Sequence, residues 1–138
     1  MKEQAVEKIL AEKYNLKKDC FWFHEPSQKW IITHVGCTII AEKENIEFTR
    51  PEYVKNEPGE IVMYGTGTMR DNEGNEKTVW THGEVNRKNC FISYPYAIAE
   101  KRLKDRLTLM LISIYGEVYS EIEKDEFEQQ QQHLRNME

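Results

Sequence analysis

The sequence predicts an α+β domain in which an antiparallel sheet, built around one β-hairpin, packs against a long C-terminal helix. Two Thr- and Val-containing runs, residues 61–69 and 77–85, flank a polar turn that contains Asp71 and Gly74, which is typical of a hairpin. Over residues 96–115, apolar residues recur at helical spacing. The expected core order is therefore α-β-β-β-α, with a short helix added at the N-terminus.

The first half of the chain predicts the elements that precede the hairpin. Residues 3–14 carry apolar side chains at helical spacing, and the aromatic segment 20–23 indicates a short strand. Residues 29–44 fit a period of 3.6 better than strict alternation, so we expect a helix there, capped by Ser27. An extended run is expected to begin at Ile46.

Two features of these elements predict close packing. Gly65 and Gly67 lie inside a predicted strand, where a missing side chain indicates a bend or a close approach of another backbone. The second half of the long helix is apolar nearly all round, since Leu109 and Ile112 lie opposite the main apolar stripe. That helix needs cover on two faces, and a subunit interface is the expected cover. Gly116 is expected to end the helix.

Length and cysteine usage indicate one intracellular domain. The 138 residues fit a single core over residues 1–128, followed by a polar, flexible tail at 129–138. No apolar stretch is long enough to span a membrane, and the N-terminus does not resemble a secretory signal. Cys20, Cys37 and Cys90 are odd in number and widely spaced, which favours a reducing cytoplasm over a disulfide framework.

Charge is unevenly distributed along the chain. The formal net charge is −5, which argues against a uniformly basic nucleic-acid-binding protein. Residues 101–106 nevertheless hold four basic residues against Asp105, a local charge of +3 (4 − 1). Residues 117–128 hold six acidic residues against Lys124, a local charge of −5 (1 − 6). This segregation points to a cationic surface at the start of the long helix.

Two segments resemble the Rad-fifty-two-like superfamily of single-strand annealing proteins, which includes phage recombinases. The first is KWIITHVGCTIIAEKENIEF; the second is IVMYGTGTMRDNEGNEKTVWTHGEVN followed by YPYAIAEKRLKDRLTLMLISIYGEVYS. The resemblance covers roughly residues 29–127. It implies an α-β-β-β-α core, annealing of DNA strands without ATP, and rings or filaments that hold nucleic acid in a basic groove. The family usually carries further Lys and Arg after the helix Asp, whereas residues 107–111 here are uncharged.

The candidate nucleic-acid-binding residues are cations and aromatics around the start of the long helix. Clustered cations neutralise phosphates, and aromatic faces such as that of Trp80 stack on unpaired bases. The alternative is a solvated helix face with its aromatics in the core. The candidates are Arg87, Lys88, Tyr94, Tyr96, Lys101, Arg102, Lys104 and Arg106. These residues favour binding of single-stranded DNA. The resemblance further implies strand annealing in recombination, by a phage-related homo-oligomer that contacts nucleic acid and other recombination proteins.

Other functions have weaker support in the sequence. The order C-x3-H and H-x2-C at Cys20, His24, His34 and Cys37 superficially resembles a zinc site, but buried structural residues are the more common explanation. No P-loop is present and no local signature supports a catalytic triad, so we expect neither an enzyme nor a cofactor nor a metal. The alternatives are a protein-interaction module, for example a phage inhibitor of a host protein acting through its acidic surface, and a double-stranded RNA-binding module.

Overall fold

The computed structural model describes residues 3–86, 95–115 and 118–120. The elements are α1 (Glu3–Lys8) continued by a π-helical segment (Ile9–Lys13), β1 (Phe21–His24), β2 (Lys29–Ile32), α2 (His34–Lys43), β3 (Glu47–Phe48), β4 (Glu52–Glu57), β5 (Glu60–Arg70), β6 (Glu76–Asn86), α3 (Pro95–Leu111) and β7 (Val118–Ser120). The α+β class, the short N-terminal helix and the long C-terminal helix on an antiparallel sheet are confirmed. Gly116 and the tail at 129–138 lie outside the described residues.

The strands form two separate sheets. In the smaller sheet, β1 and β7 flank β2, which is antiparallel to β1 and parallel to β7. In the larger sheet, β5 is central and pairs with β6 over its full length, from Glu60↔Asn86 to Arg70↔Glu76. The other side of β5 pairs with β4 and then with β3. The predicted hairpin is therefore the framework of the larger sheet.

The expected helix over residues 29–44 is wrong for its first four positions. Lys29–Ile32 is strand β2, which contains Trp30 and two β-branched residues that favour extended backbone. A turn with Gln28 at φ 56° folds this strand back onto β1. Helix α2 begins only after Thr33, whose side chain accepts a hydrogen bond from Gly36 N at 3.0 Å. Ser27 does not cap the helix; its Oγ lies 2.7 Å from His24 Nδ1.

Glycines let helix α3 approach the hairpin closely. A Cβ at Gly65 would lie 3.0 Å from Leu103 Cδ2, and one at Gly67 would lie 3.1 Å from Leu111 Cδ1. At Gly83 a Cβ would collide with the helix backbone itself, at Ala99 O and, at 2.7 Å, Leu103 N. At Gly65 and Gly67 it is leucine side chains of α3 that approach, and the close approach of another backbone occurs at Gly83 on β6.

Helix α3 ends earlier than the sequence indicated. Its last helical residue is Leu111 rather than Tyr115, and Ser113 takes the left-handed conformation at φ 66°. The Nζ of Lys77 on β6 donates to the carbonyl oxygens of Met110 (3.3 Å) and Leu111 (3.1 Å). Backbone bonds close the helix around Ser113, since Ser113 N donates to Met110 O and Ile114 N to Leu109 O, both at 3.1 Å. The Lys77 cation adds a further donor to the last carbonyls.

Helix α3 is buried between two hydrophobic clusters of the same chain. Leu103 and Leu107 pack with hairpin residues such as Ile61, whereas Leu109 packs with the N-terminal elements and the smaller sheet. The expected subunit interface is therefore not required to cover Leu109, which is fully buried within the chain. Within the described part of the chain, no helix has the length and apolarity of a membrane span.

Candidate nucleic-acid interface

Two of the four predicted cations on α3 are structural. Arg102 is only 2% exposed, and its Nη1 donates to the carbonyl oxygen of Glu84 at 2.8 Å. Arg106 donates from Nη1 to the carbonyl oxygen of His82 at 2.6 Å. It also forms a bidentate ion pair with the Glu84 carboxylate, with both hydrogen bonds at 2.8 Å. Both guanidinium groups thus satisfy backbone carbonyls on the edge of β6 that faces away from β5.

The Glu84 carboxylate is part of this edge arrangement. Burial raises the pKa of Glu84, but the hydrogen bonds from Arg106 and the charges of Arg106 and Arg102 outweigh burial and hold the pKa below its ordinary value. A carboxylate that stays charged beside two guanidinium groups neutralises much of their field. These arginines therefore contribute little to a phosphate-binding surface.

The remaining described candidates each have their own contacts within the chain. Lys101 is partly buried, while Lys104 pairs with Glu100 at 2.8 Å and lies 5.8 Å from the ring centre of Phe48. Tyr96 is 48% exposed, and its hydroxyl donates to Asn56 Oδ1 at 2.9 Å. Three further candidates lie outside the described residues: Arg87, Lys88 and Tyr94.

A different surface brings aromatic side chains together. Side chains alternate between the two faces of a sheet. Since Gly65, Gly67 and Gly83 face α3, the residues next to them along β5 and β6 lie on the opposite face. Tyr64, Trp80 and His82 occupy this outer face, with ring centres 5.5–6.0 Å apart in each pair. Trp80 is 61% exposed. We call these three residues the aromatic patch.

Hydroxyl groups and paired charges surround the aromatic patch. Thr68 and Thr78 are the next facing pair on this side of the sheet, two residues beyond Trp80, and share a hydrogen bond of 2.9 Å. Beyond them Arg70 pairs with Glu76 at 2.6 Å and with Glu47 at 3.3 Å. The outer face therefore offers rings and hydroxyls, and the Arg70 charge at its end is paired with two carboxylates.

A cleft lies on the other side of the sheet, between α2, β3 and α3. At its base His34 Nδ1 lies 2.7 Å from Asp105 Oδ1, and the Asp105 side chain is 1% exposed. Burial raises the pKa of Asp105, although the His34 and Cys37 hydrogen bonds oppose the rise. The cleft has a volume of about 680 Å³ and is lined by His34, Cys37, Thr38, Ala41, Glu42, Asn45, Ile46, Glu47, Phe48, Lys104, Asp105 and Thr108.

The zinc-like cysteine and histidine pattern does not assemble. Cys20 and Cys37 are buried and are not joined by a disulfide, His24 bonds to the serine in the β1–β2 turn, and His34 bonds to Asp105. Among residues 3–86, 95–115 and 118–120, no three His, Cys, Asp or Glu side chains are grouped to hold a metal ion.

Sequence reasoning missed the cleft and two of the three patch residues. His34 and Asp105 are 71 residues apart and belong to no local motif. Tyr64 and His82 could have been found from strand register, since both alternate with glycines that face the helix.

Comparison with known proteins gives no further assignment. The chain matches no family model, no curated protein and no solved structure.

Proposed function

We propose that this protein binds single-stranded nucleic acid, with unpaired bases stacked on the aromatic patch of the β5–β6 hairpin. The observation that carries the proposal is the exposed ring of Trp80 beside Tyr64 and His82. Stacking on aromatic rings contributes about 1–3 kcal/mol per base and tolerates any sequence, because every base has a flat face. The neighbouring threonine hydroxyls can donate to phosphate or sugar oxygens.

The proposal extends to strand annealing, which the resemblance to the Rad-fifty-two-like superfamily implies. A protein that stacks bases on an open sheet face leaves their pairing edges accessible to a second strand. No nucleotide hydrolysis is needed, since the free energy comes from base pairing. We place this activity in the cytoplasm of a cell or infected host, in a homo-oligomer of ring or filament form, within recombination and alongside other recombination proteins.

The proposed interface lies on the outer face of the hairpin rather than at the start of α3. Arg102 and Arg106 are bound to β6, so phosphate contacts have to come from the partly exposed Lys101 and Lys104 or from residues such as Arg87 and Lys88. Each neutralised phosphate on a single strand contributes about −0.7 to the slope of log affinity against log salt. A stacking-dominated interface is therefore expected to show a shallow salt dependence.

Fluorescence polarisation with a labelled oligonucleotide tests the proposal. Trp80→Ala should weaken binding at low salt by about 5- to 150-fold, the factor that corresponds to losing one stacked base. Trp22→Ala is the matched control, because Trp22 is also exposed (37%) but lies on the smaller sheet. It should leave the affinity unchanged. Equal affinities for Trp80→Ala and the unmodified protein, or no binding at low salt, would refute the proposed interface.

A second candidate function is a protein-interaction module acting through an acidic surface. The net charge of −5 and the engagement of Arg102 and Arg106 within the chain favour it. Of the acidic segment at 117–128, only residues 118–120 are described, as strand β7. Capture of one specific partner from nuclease-treated lysate, lost on neutralising Glu121, Glu123 and Asp125, would support this function over nucleic-acid binding.

A further inference from the structure

The cleft between α2, β3 and α3 has features that the proposed nucleic-acid function does not use. His34 bonds to Asp105 Oδ1 and Cys37 also hydrogen-bonds to this carboxyl, whereas the buried Oδ2 has no partner with hydrogen-bond geometry among the described residues. A buried carboxylate oxygen without a donor is costly, and such atoms usually mark a missing ligand, ion or water. Asp105 lines the cleft, so a bound group could supply the missing donor.

The acceptors of the cleft define what such a group must be. When neutral, His34 donates from Nδ1 to Asp105 and keeps a lone pair on Nε2, so the base of the cleft offers two acceptors. Glu42 and Glu47 add carboxylates to the lining, whereas Lys104 is the one lysine or arginine among the lining residues and is paired with Glu100. An anion is disfavoured by this charge balance, and a donor-rich cation is favoured.

We propose that this cleft binds a guanidinium group, which donates to Asp105 Oδ2 and to the acceptor nitrogen of His34. A guanidinium group carries five N–H donors in a flat, rigid arrangement, so it can serve two acceptors at once, which a compact ammonium group does less well. The volume of about 680 Å³ holds such a group with the carbon chain that bears it. The carrier is either a free small molecule or an arginine side chain of another protein.

Nuclear magnetic resonance titration of the whole chain with methylguanidinium chloride tests this inference. The ring signals of His34, assigned with His34→Gln, should shift and saturate. Tetramethylammonium chloride at equal ionic strength has the same charge but no N–H donor, and it should produce no saturable shift. Absence of saturation with methylguanidinium, or equal shifts with both cations, would overturn the inference.

Variants separate the specific contact from general electrostatics. Asp105→Asn keeps the shape of the side chain but removes its charge, and it should raise the titration midpoint about tenfold or more, as expected for a lost charge-assisted hydrogen bond. Glu57→Gln on β4 removes the same charge at a residue that does not line the cleft and should leave the midpoint unchanged. An Asp105→Asn midpoint equal to that of the unmodified protein would contradict the assignment.

A second variant protects the test against misfolding of Asp105→Asn. Glu42 is exposed at the cleft, so Glu42→Lys should fold normally and raise the midpoint about threefold by repulsion. An unchanged midpoint in this variant would also count against a cation in the cleft.

The same titration distinguishes the two carriers. Saturation by a blocked Gly-Arg-Gly peptide with the midpoint of methylguanidinium would identify a protein side chain as the ligand. Saturation by free arginine and methylguanidinium, with exclusion of the peptide, would identify a small molecule. None of these outcomes depends on nucleic-acid binding, so this inference and the proposed function can fail separately.

Discussion

The two faces of the β5–β6 hairpin are built from the same two strands but have opposite surface chemistry. The face toward α3 carries glycines at positions 65, 67 and 83 and is closed by the helix. The outer face carries Tyr64, Trp80 and His82, and Trp80 is largely exposed. One face allows close packing of the helix, whereas the other leaves aromatic surface exposed to water, which is unfavourable in free energy.

This contrast separates the residues that build the fold from those available for binding. In the sequence, Arg102 and Arg106 look like part of a cationic binding surface. In the structure they donate hydrogen bonds to backbone carbonyl oxygens on the edge of β6. Trp80, which the fold does not bury, is free to contact a ligand. A basic helix start is therefore not by itself a nucleic-acid surface, because a neighbouring strand edge can bind its guanidinium groups.

The largest expected effect is that of a methyl group added on the closed face. Gly83→Ala should lower the free energy of unfolding by about 3 kcal/mol, because the new Cβ collides with the backbone of α3 at Ala99 and Leu103. Trp80→Ala removes a far larger side chain from the open face but should cost about 1 kcal/mol or less, since Trp80 is mostly solvated. Urea unfolding of both variants checks the comparison.

Gly83→Ala as stable as the unmodified chain would mean that α3 does not approach the hairpin this closely. A Trp80→Ala variant that unfolds as readily as Gly83→Ala would mean that the outer face is covered, and the aromatic patch would no longer be a candidate surface.

The next effect concerns two adjacent cations of α3. Arg102→Ala should lower the free energy of unfolding by about 2 kcal/mol, because it leaves the Glu84 carbonyl without its donor and opens a buried space. Lys101→Ala should change it by about 0.5 kcal/mol or less, as expected for a partly exposed side chain. A stable Arg102→Ala variant that loses oligonucleotide affinity would return this arginine to the binding surface.

The regular parts of the fold could be predicted because their signals are local. The hairpin follows from two β-rich runs around a turn in which Asp71 accepts from the Glu73 and Asn75 backbone N–H groups. The start of α2 could not be predicted by periodicity, since strand β2 and the helix join without a break in the apolar pattern.

The candidate site was harder to predict because its residues are joined by tertiary contacts. Whether Arg106 faces solvent or Glu84 depends on how the helix lies against β6, which no local pattern encodes. The same holds for His34 and Asp105, brought together by two helices packed across the domain. Trp80 was identified from its residue type, but its exposure required the structure.

The smallest expected effect is on pH dependence, where Glu84 and Asp105 should act in opposite directions. The pKa of Glu84 is lowered in the folded chain, so its contribution to stability is present above its unfolded pKa of about 4.3 and is lost as the pH falls through the folded pKa. The pKa of Asp105 is raised, so its contribution is present below its unfolded pKa of about 3.9 and is lost as the pH rises through the folded pKa.

Urea unfolding of the unmodified chain, Glu84→Gln and Asp105→Asn at about pH 4 and pH 7 measures these contributions, since pH effects common to all three chains cancel in the differences. The stability advantage of the unmodified chain over Glu84→Gln should grow between the two pH values, because the charged carboxylate is bound by Arg106. Its advantage over Asp105→Asn should shrink, because burial disfavours the charged form. If both stability differences changed in the same direction with pH, the two carboxylates would lie in similar surroundings. That result would contradict the placement of Glu84 beside Arg106 and of Asp105 in the buried base of the cleft.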